Sequence, residues 1–139
     1  MKQTAILSIS ILLLVSCGNK SVREASGPFP LQPATTGQTR ADTVFSLMQQ
    51  DRNLSGLNLS GMEMDWMDLS GVRIIRSTMN NASLHGTCLR EALISDTSMV
   101  GVDMVAADCR NARLIRTDLH GSRLVKSDFS DALMIQVDL

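Results

Sequence analysis

The residues able to do chemistry are few and scattered. The chain has three cysteines (Cys17, Cys88, Cys109) and two histidines (His85, His120). A zinc site needs three or four ligands at short, regular spacing, and neither histidine has such company. Serine is abundant, but no Ser, His and Asp converge once positions are ordered by the repeat described below. No glycine-rich stretch follows a strand and opens a helix, so there is no phosphate loop. The expectation is therefore no catalytic residue, no metal ligand, no cofactor and no enzyme. Thirteen Lys and Arg against 14 Asp and Glu, a net charge of −1, also argue against a nucleic-acid partner held by a basic surface.

What positions these residues is a count of five. From Leu54 every fifth residue is apolar: Leu59, Met64, Leu69, Ile74, Met79, Leu84, Leu89, Ile94, Met99, Met104, Cys109, Leu114, Leu119, Leu124, Phe129, Met134, Leu139. At 44% hydrophobic residues, chance gives such a run on the order of once in a million. Helices repeat at about 3.6 residues and strands at about 2, so neither sustains a five. Two residues before each centre from Val72 onward the side chain is small or β-branched, as in Ala82, Thr97, Ala112 and Ser127. One before it Asp or Asn recurs, as in Asn58, Asp68, Asp108 and Asp128. Two after it Gly is frequent, as in Gly56, Gly71, Gly101 and Gly121.

This pattern resembles the pentapeptide-repeat family, whose motif runs small, Asp or Asn, Leu or Phe, then two variable residues. Ala107-Asp108-Cys109-Arg110-Asn111 and Ser127-Asp128-Phe129-Ser130-Asp131 carry the likeness most clearly. The resemblance implies an all-β fold, a right-handed quadrilateral β-helix with one pentad per side and twenty residues per coil. Centre and minus-two side chains would point inward, and corners every five residues suit Gly, Asn and Asp. Residues 51–139 would then form about four and a half coils, a rod ~20 Å long. In its first coil the minus-two residues Arg52, Leu57, Met62 and Met67 are too large for the pattern, so that coil is expected to be splayed or covered.

The front of the chain reads differently. Residues 1–17 form a leader: Lys2 is positive, and Ala5 to Val15 is apolar but short for a span. Its end, Leu14-Val15-Ser16-Cys17, resembles the bacterial lipobox. That resemblance implies cleavage before Cys17 and lipid attachment (palmitate among the acyl chains) on this residue. An ordinary signal peptide or a short anchor is the alternative. Gly18 in place of Asp suits outer-membrane sorting in a two-membrane bacterium. Residues 18–41, with Pro28, Pro30 and Pro33, read as a flexible tether with a reach of roughly 25–30 Å, or more sharply as a proline-rich recognition motif. Residues 42–50 are expected to form a helix, started by Asp42 or Thr43, whose Val44, Leu47 and Met48 close the first coil as a lid.

Together the two resemblances imply a membrane-anchored lipoprotein of the bacterial envelope, acting as a structural or protein-interaction module on an envelope protein or polymer. Some members of the repeat family mimic duplex DNA and protect type II topoisomerases. Residues 51–139 hold 12 acidic against 9 basic residues, a weak balance for a mimic, and an exported chain would not meet that target. Cys109 points inward and Cys88 outward, so a bond between them is not expected and Cys88 should be an exposed thiol. One outer side stands apart: Arg73, Leu93, Arg113 and Leu133 in one column, Ile75, Ile115 and Ile135 in another, beside Arg76, Asp96 and Arg116. It is either a binding patch or the ordinary β-propensity of Ile. Met134 and Leu139 lie at an open apolar end, expected to pair in an end-to-end homodimer or else to be a frayed last half-coil.

Overall fold

The structure, a computed structural model, describes residues 40–139. A helix, α1 (Arg40–Gln50), leads into a solenoid of four sides. It starts two residues ahead of the expected segment, which puts Asp42 inside the first turn instead of at the cap. Four short strands follow at twenty-residue intervals: β1 (Arg73–Ile75), β2 (Leu93–Ser95), β3 (Arg113–Ile115) and β4 (Leu133–Ile135). They make one parallel sheet in the order β1-β2-β3-β4, in register Arg73↔Leu93↔Arg113↔Leu133 and Ile75↔Ser95↔Ile115↔Ile135. We call this side one. The other three sides follow it in chain order and are joined coil to coil by single bridges at the same step, such as Asn58↔Thr78, Ser83↔Asp103 and Cys88↔Asp108.

The corners explain the count of five. The residue two after every centre from Leu54 to Met134 has positive φ, whether it is Gly (Gly56 to Gly121) or not (Trp66 to Gln136). On sides two, three and four the amide three residues after a centre donates to that centre's carbonyl, as Met62 N does to Leu59 O at 3.2 Å and Ala112 N to Cys109 O at 3.1 Å. That is the closure of a β-turn whose third residue needs positive φ. Among the described residues side one lacks this closure, so its pentads stay extended and form the named strands. Ile75, Ile115 and Ile135, β-branched, favour that extension.

Inside, the centres stack in columns: Ile74, Ile94 and Leu114 on side one, Leu69, Leu89 and Cys109 on side four, all no more than 1% exposed. The minus-two hydroxyls are buried but not orphaned. Ser77 donates to Leu54 O at 3.0 Å, Thr87 to Met64 O at 2.9 Å and Thr97 to Ile74 O at 3.2 Å, each 23 residues back, one coil and three residues. Among the described residues no buried side-chain polar atom lacks a partner.

The two ends of the rod differ. Val44 of α1 is 2% exposed, and Leu47 and Met48 pack on the core beside Leu57, Met62 and Met67. The oversized minus-two residues Leu57, Met62 and Met67 of the first coil are likewise partly buried against the core, and the centres Leu54, Leu59, Met64 and Leu69 are sealed from solvent. At the far end burial decays: Leu119 is buried, Leu124 and Phe129 are partly buried, and Met134 and Leu139 are 38% and 67% exposed.

Candidate interaction surface

With the interior filled by side chains, the chemistry lies on the outside. Side one presents Arg73 and Arg113 on one flank of its buried centres and Ile75, Ser95, Ile115 and Ile135 on the other. Arg73 and Arg113 are exposed, Ile75, Leu93 and Ile115 half-buried, Leu133 and Ile135 each 44% exposed. All seven residues marked out by the sequence share this one sheet.

The edge of side one carries an ordered ion pair. Arg116 donates through Nε and Nη2 to both carboxylate oxygens of Asp96, at 2.5 and 2.7 Å. Ser95 Oγ donates to the same carboxylate at 2.7 Å. These hydrogen bonds, Arg116 first, with the nearby charge of Arg76, hold Asp96 down to about 2 and raise Arg116. Arg73, Arg76 and Arg113 make no salt bridge among the described residues.

Charge is unevenly shared between sides. Side one has five arginines (Arg52, Arg73, Arg76, Arg113, Arg116) against one acid (Asp96). Side two has Asp118 and Asp138 and no base. Side three has Glu63, Asp65 and Asp103 against Arg123 and Lys126. Side four has Asp68, Glu91, Asp108, Asp128 and Asp131 against Arg90 and Arg110. On side four both arginines converge on Asp108, Arg90 at 2.8 Å and Arg110 at 2.6 Å, and the side keeps an acidic excess. Burial pushes Asp68 up, but hydrogen bonds from Ser70 and the charge of Arg52 outweigh it, and the net shift is downward. Asp128 is lowered by its hydrogen bonds from Ser130.

Cys109 is the free, buried cysteine of the described residues, and burial first, then Asp108 and Asp128, push its thiol up to about 12. It is inert. Cys88 corrects the expectation of an exposed thiol: it is only 4% exposed and is not a free thiol. Outward register on the ladder, between Asp68 and Asp108, therefore does not leave its sulfur open to solvent. His85 and His120 sit on different sides, and no metal-binding cluster occurs among the described residues. Cys17 and the tether lie outside the described residues.

One feature escaped the sequence reading. Trp66 stands at a corner with φ 61°, 49% exposed, and its ring meets His85 edge-on at 5.1 Å. It lies over Gly86, where a Cβ would come within 2.3 Å of the ring. The signal was present: a bulky residue at a corner position, with glycine next in its column.

A family model described as pentapeptide repeats matches residues 103–139, with 8 copies. Comparison with curated protein sequences gives no match. Among solved structures the chain is similar to alr5209, a pentapeptide repeat protein of Nostoc Pcc 7120, with TM-score 0.62 and 18% identity over 73% of this chain and 95% of that one. It is also similar to the plasmid-mediated fluoroquinolone resistance protein QnrB1 (TM-score 0.48, 12% identity, 61% of this chain and 54% of that one). A third is HetL of the cyanobacterium Nostoc sp. strain PCC 7120 (TM-score 0.39, 28% identity, 70% and 43%), a pentapeptide repeat protein involved in heterocyst differentiation regulation. The first of these likenesses speaks to the fold alone.

Proposed function

We propose that this chain is a pentapeptide-repeat protein and a non-enzymatic interaction module of the bacterial envelope, held to a membrane by lipid on Cys17 and binding through side one. The observation that carries the binding half is the convergence on one extended sheet of aligned Ile and Leu with arginines that make no salt bridge among the described residues. Side chains that serve only the fold do not need to leave guanidinium groups uncompensated beside exposed apolar residues. The anchoring half rests on Leu14-Val15-Ser16-Cys17, and Gly18 supports the outer membrane as destination. No helix among the described residues is long and apolar enough to cross a membrane.

The exposed Met134 and Leu139 support a second contact, an end-to-end homodimer through the open coil. The competing reading, a DNA mimic that protects a type II topoisomerase, needs acidic columns along the rod, and the arginines of side one oppose it. The binding half is tested by Ile75, Leu93 and Ile115→Thr together. Photo-crosslinkers on side one should capture one defined partner in wild type and lose it in the triple variant, with the fold intact. Capture unchanged by the substitutions would leave these residues to β-propensity alone.

A further inference from the structure

Side one is the one side of the described body where base outnumbers acid, and the other three tilt acidic. We propose that its occupant is an anionic lipid surface, against which the solenoid lies on this side. The proposal rests on the reading of side one as the interaction face and names its partner.

Three observations favour a lipid surface over an acidic protein segment. The first is shape. Side one is a parallel ladder in which each inner strand is already hydrogen-bonded to the coils on both sides, so a peptide cannot add between them as a strand. A planar interface needs no groove. The second is chemistry. Arg73 and Arg113 lie two coils apart, roughly 10 Å, in one column, with Leu93 and Leu133 between and beyond them and Ile75 and Ile115 alongside. Planar guanidinium groups take phosphate oxygens two at a time, while the neighbouring Ile and Leu enter the boundary between headgroup and acyl chain. The third is orientation. Asp118 and Asp138 on side two, and the carboxylates of side four, are repelled by the surface that attracts side one. An extended anionic plane therefore selects one face, whereas a short acidic peptide would feel little of this asymmetry.

Three arginines that make no salt bridge among the described residues (Arg73, Arg76, Arg113), at about one kcal/mol each near an anionic leaflet, are worth on the order of a hundredfold in partitioning. The Arg116 guanidinium is already engaged by Asp96 and adds less.

The test uses the full chain with vesicles of phosphatidylcholine alone and vesicles in which about a third is phosphatidylglycerol. The apolar leader partitions into both, so the ratio of the two affinities reports the rest of the chain. Wild type should prefer the anionic vesicles by about a hundredfold, and salt should collapse the preference. Arg73, Arg76 and Arg113→Gln should cut it below about tenfold, whereas Arg110, Arg123 and Lys126→Gln, an equal loss of charge elsewhere, should keep it. Equal losses in both triple variants would overturn the proposal, because net charge alone would then be at work. No anionic preference in wild type would also overturn it. If side-one crosslinks still capture a protein in that case, the interaction face stands and only its lipid occupant falls.

Discussion

Replacing Leu114 by alanine probes the register of the solenoid most sharply. Leu114 is the middle residue of β3, 1% exposed, stacked between Ile94 and Met134. The change removes three buried carbons, about 2.4 kcal/mol at ~0.8 each. Neighbours fixed by the ladder on both sides cannot collapse fully into the gap, which brings the total to about 3–4 kcal/mol. Met134 occupies the same column one coil on but is 38% exposed, with core on one side only. Met134→Ala should cost about 1 kcal/mol. Leu114→Asp buries a carboxylate with no partner and should unfold the neighbouring coils, whereas Arg116→Ala, on the outside, should not. Urea unfolding followed by circular dichroism gives all four values. Equal losses at Leu114 and Met134 would refute the inward column and with it the assignment of side one.

Other perturbations read other parts of the rod. Gly86→Ala meets the ring of Trp66 and forces a side chain into positive φ, so it should cost about 1–2 kcal/mol and shift Trp66 fluorescence; Gly121→Ala, with open space around it, should leave the fluorescence unchanged. Thr97→Val keeps shape but removes the bond to Ile74 O, and should cost about 1 kcal/mol in the same urea assay. The Asp96 carboxyl should titrate near 2 by NMR, and Arg116→Gln should move it up towards its ordinary value near 3.8. The sign follows: with the folded value depressed, the stability this carboxylate adds is present above about 3.8 and is lost as pH falls through about 2. Cys109 should resist alkylation at pH 8 until denaturant exposes it, and rapid labelling of the native chain would contradict its burial.

The fold was legible because a period of five leaves little freedom: the centres from Leu54 to Leu119 are buried, and side one contains every residue assigned to it. Corners were legible in part. Gly, Asn and Asp mark some, but Arg76, Glu91, Ala106 and Lys126 adopt the same positive φ because the stacked coils impose it against local preference. The backbone difference between side one and the others was legible only in part: Ile75, Ile115 and Ile135 favour extension, but the missing turn hydrogen bond has no signature of its own in the sequence. The hydroxyl bonds to carbonyls 23 residues back were equally silent, because small side chains at Ser77 and Thr97 read first as a packing requirement. Cys88 was misplaced because outward register was equated with exposure, and register does not say what a side chain is bonded to or covered by.

The anchoring half of the proposal meets its most direct test in metabolic labelling with palmitate, followed by cell fractionation, on wild type and Cys17→Ser. The thiol is where the diacylglycerol must be attached, and acyl chains on one residue suffice for stable membrane residence. Wild type should carry label and sediment with membranes, while Cys17→Ser should be unlabelled and remain an unprocessed precursor. An unlabelled wild-type chain, found in the soluble fraction with its first residues retained, would contradict the envelope tether.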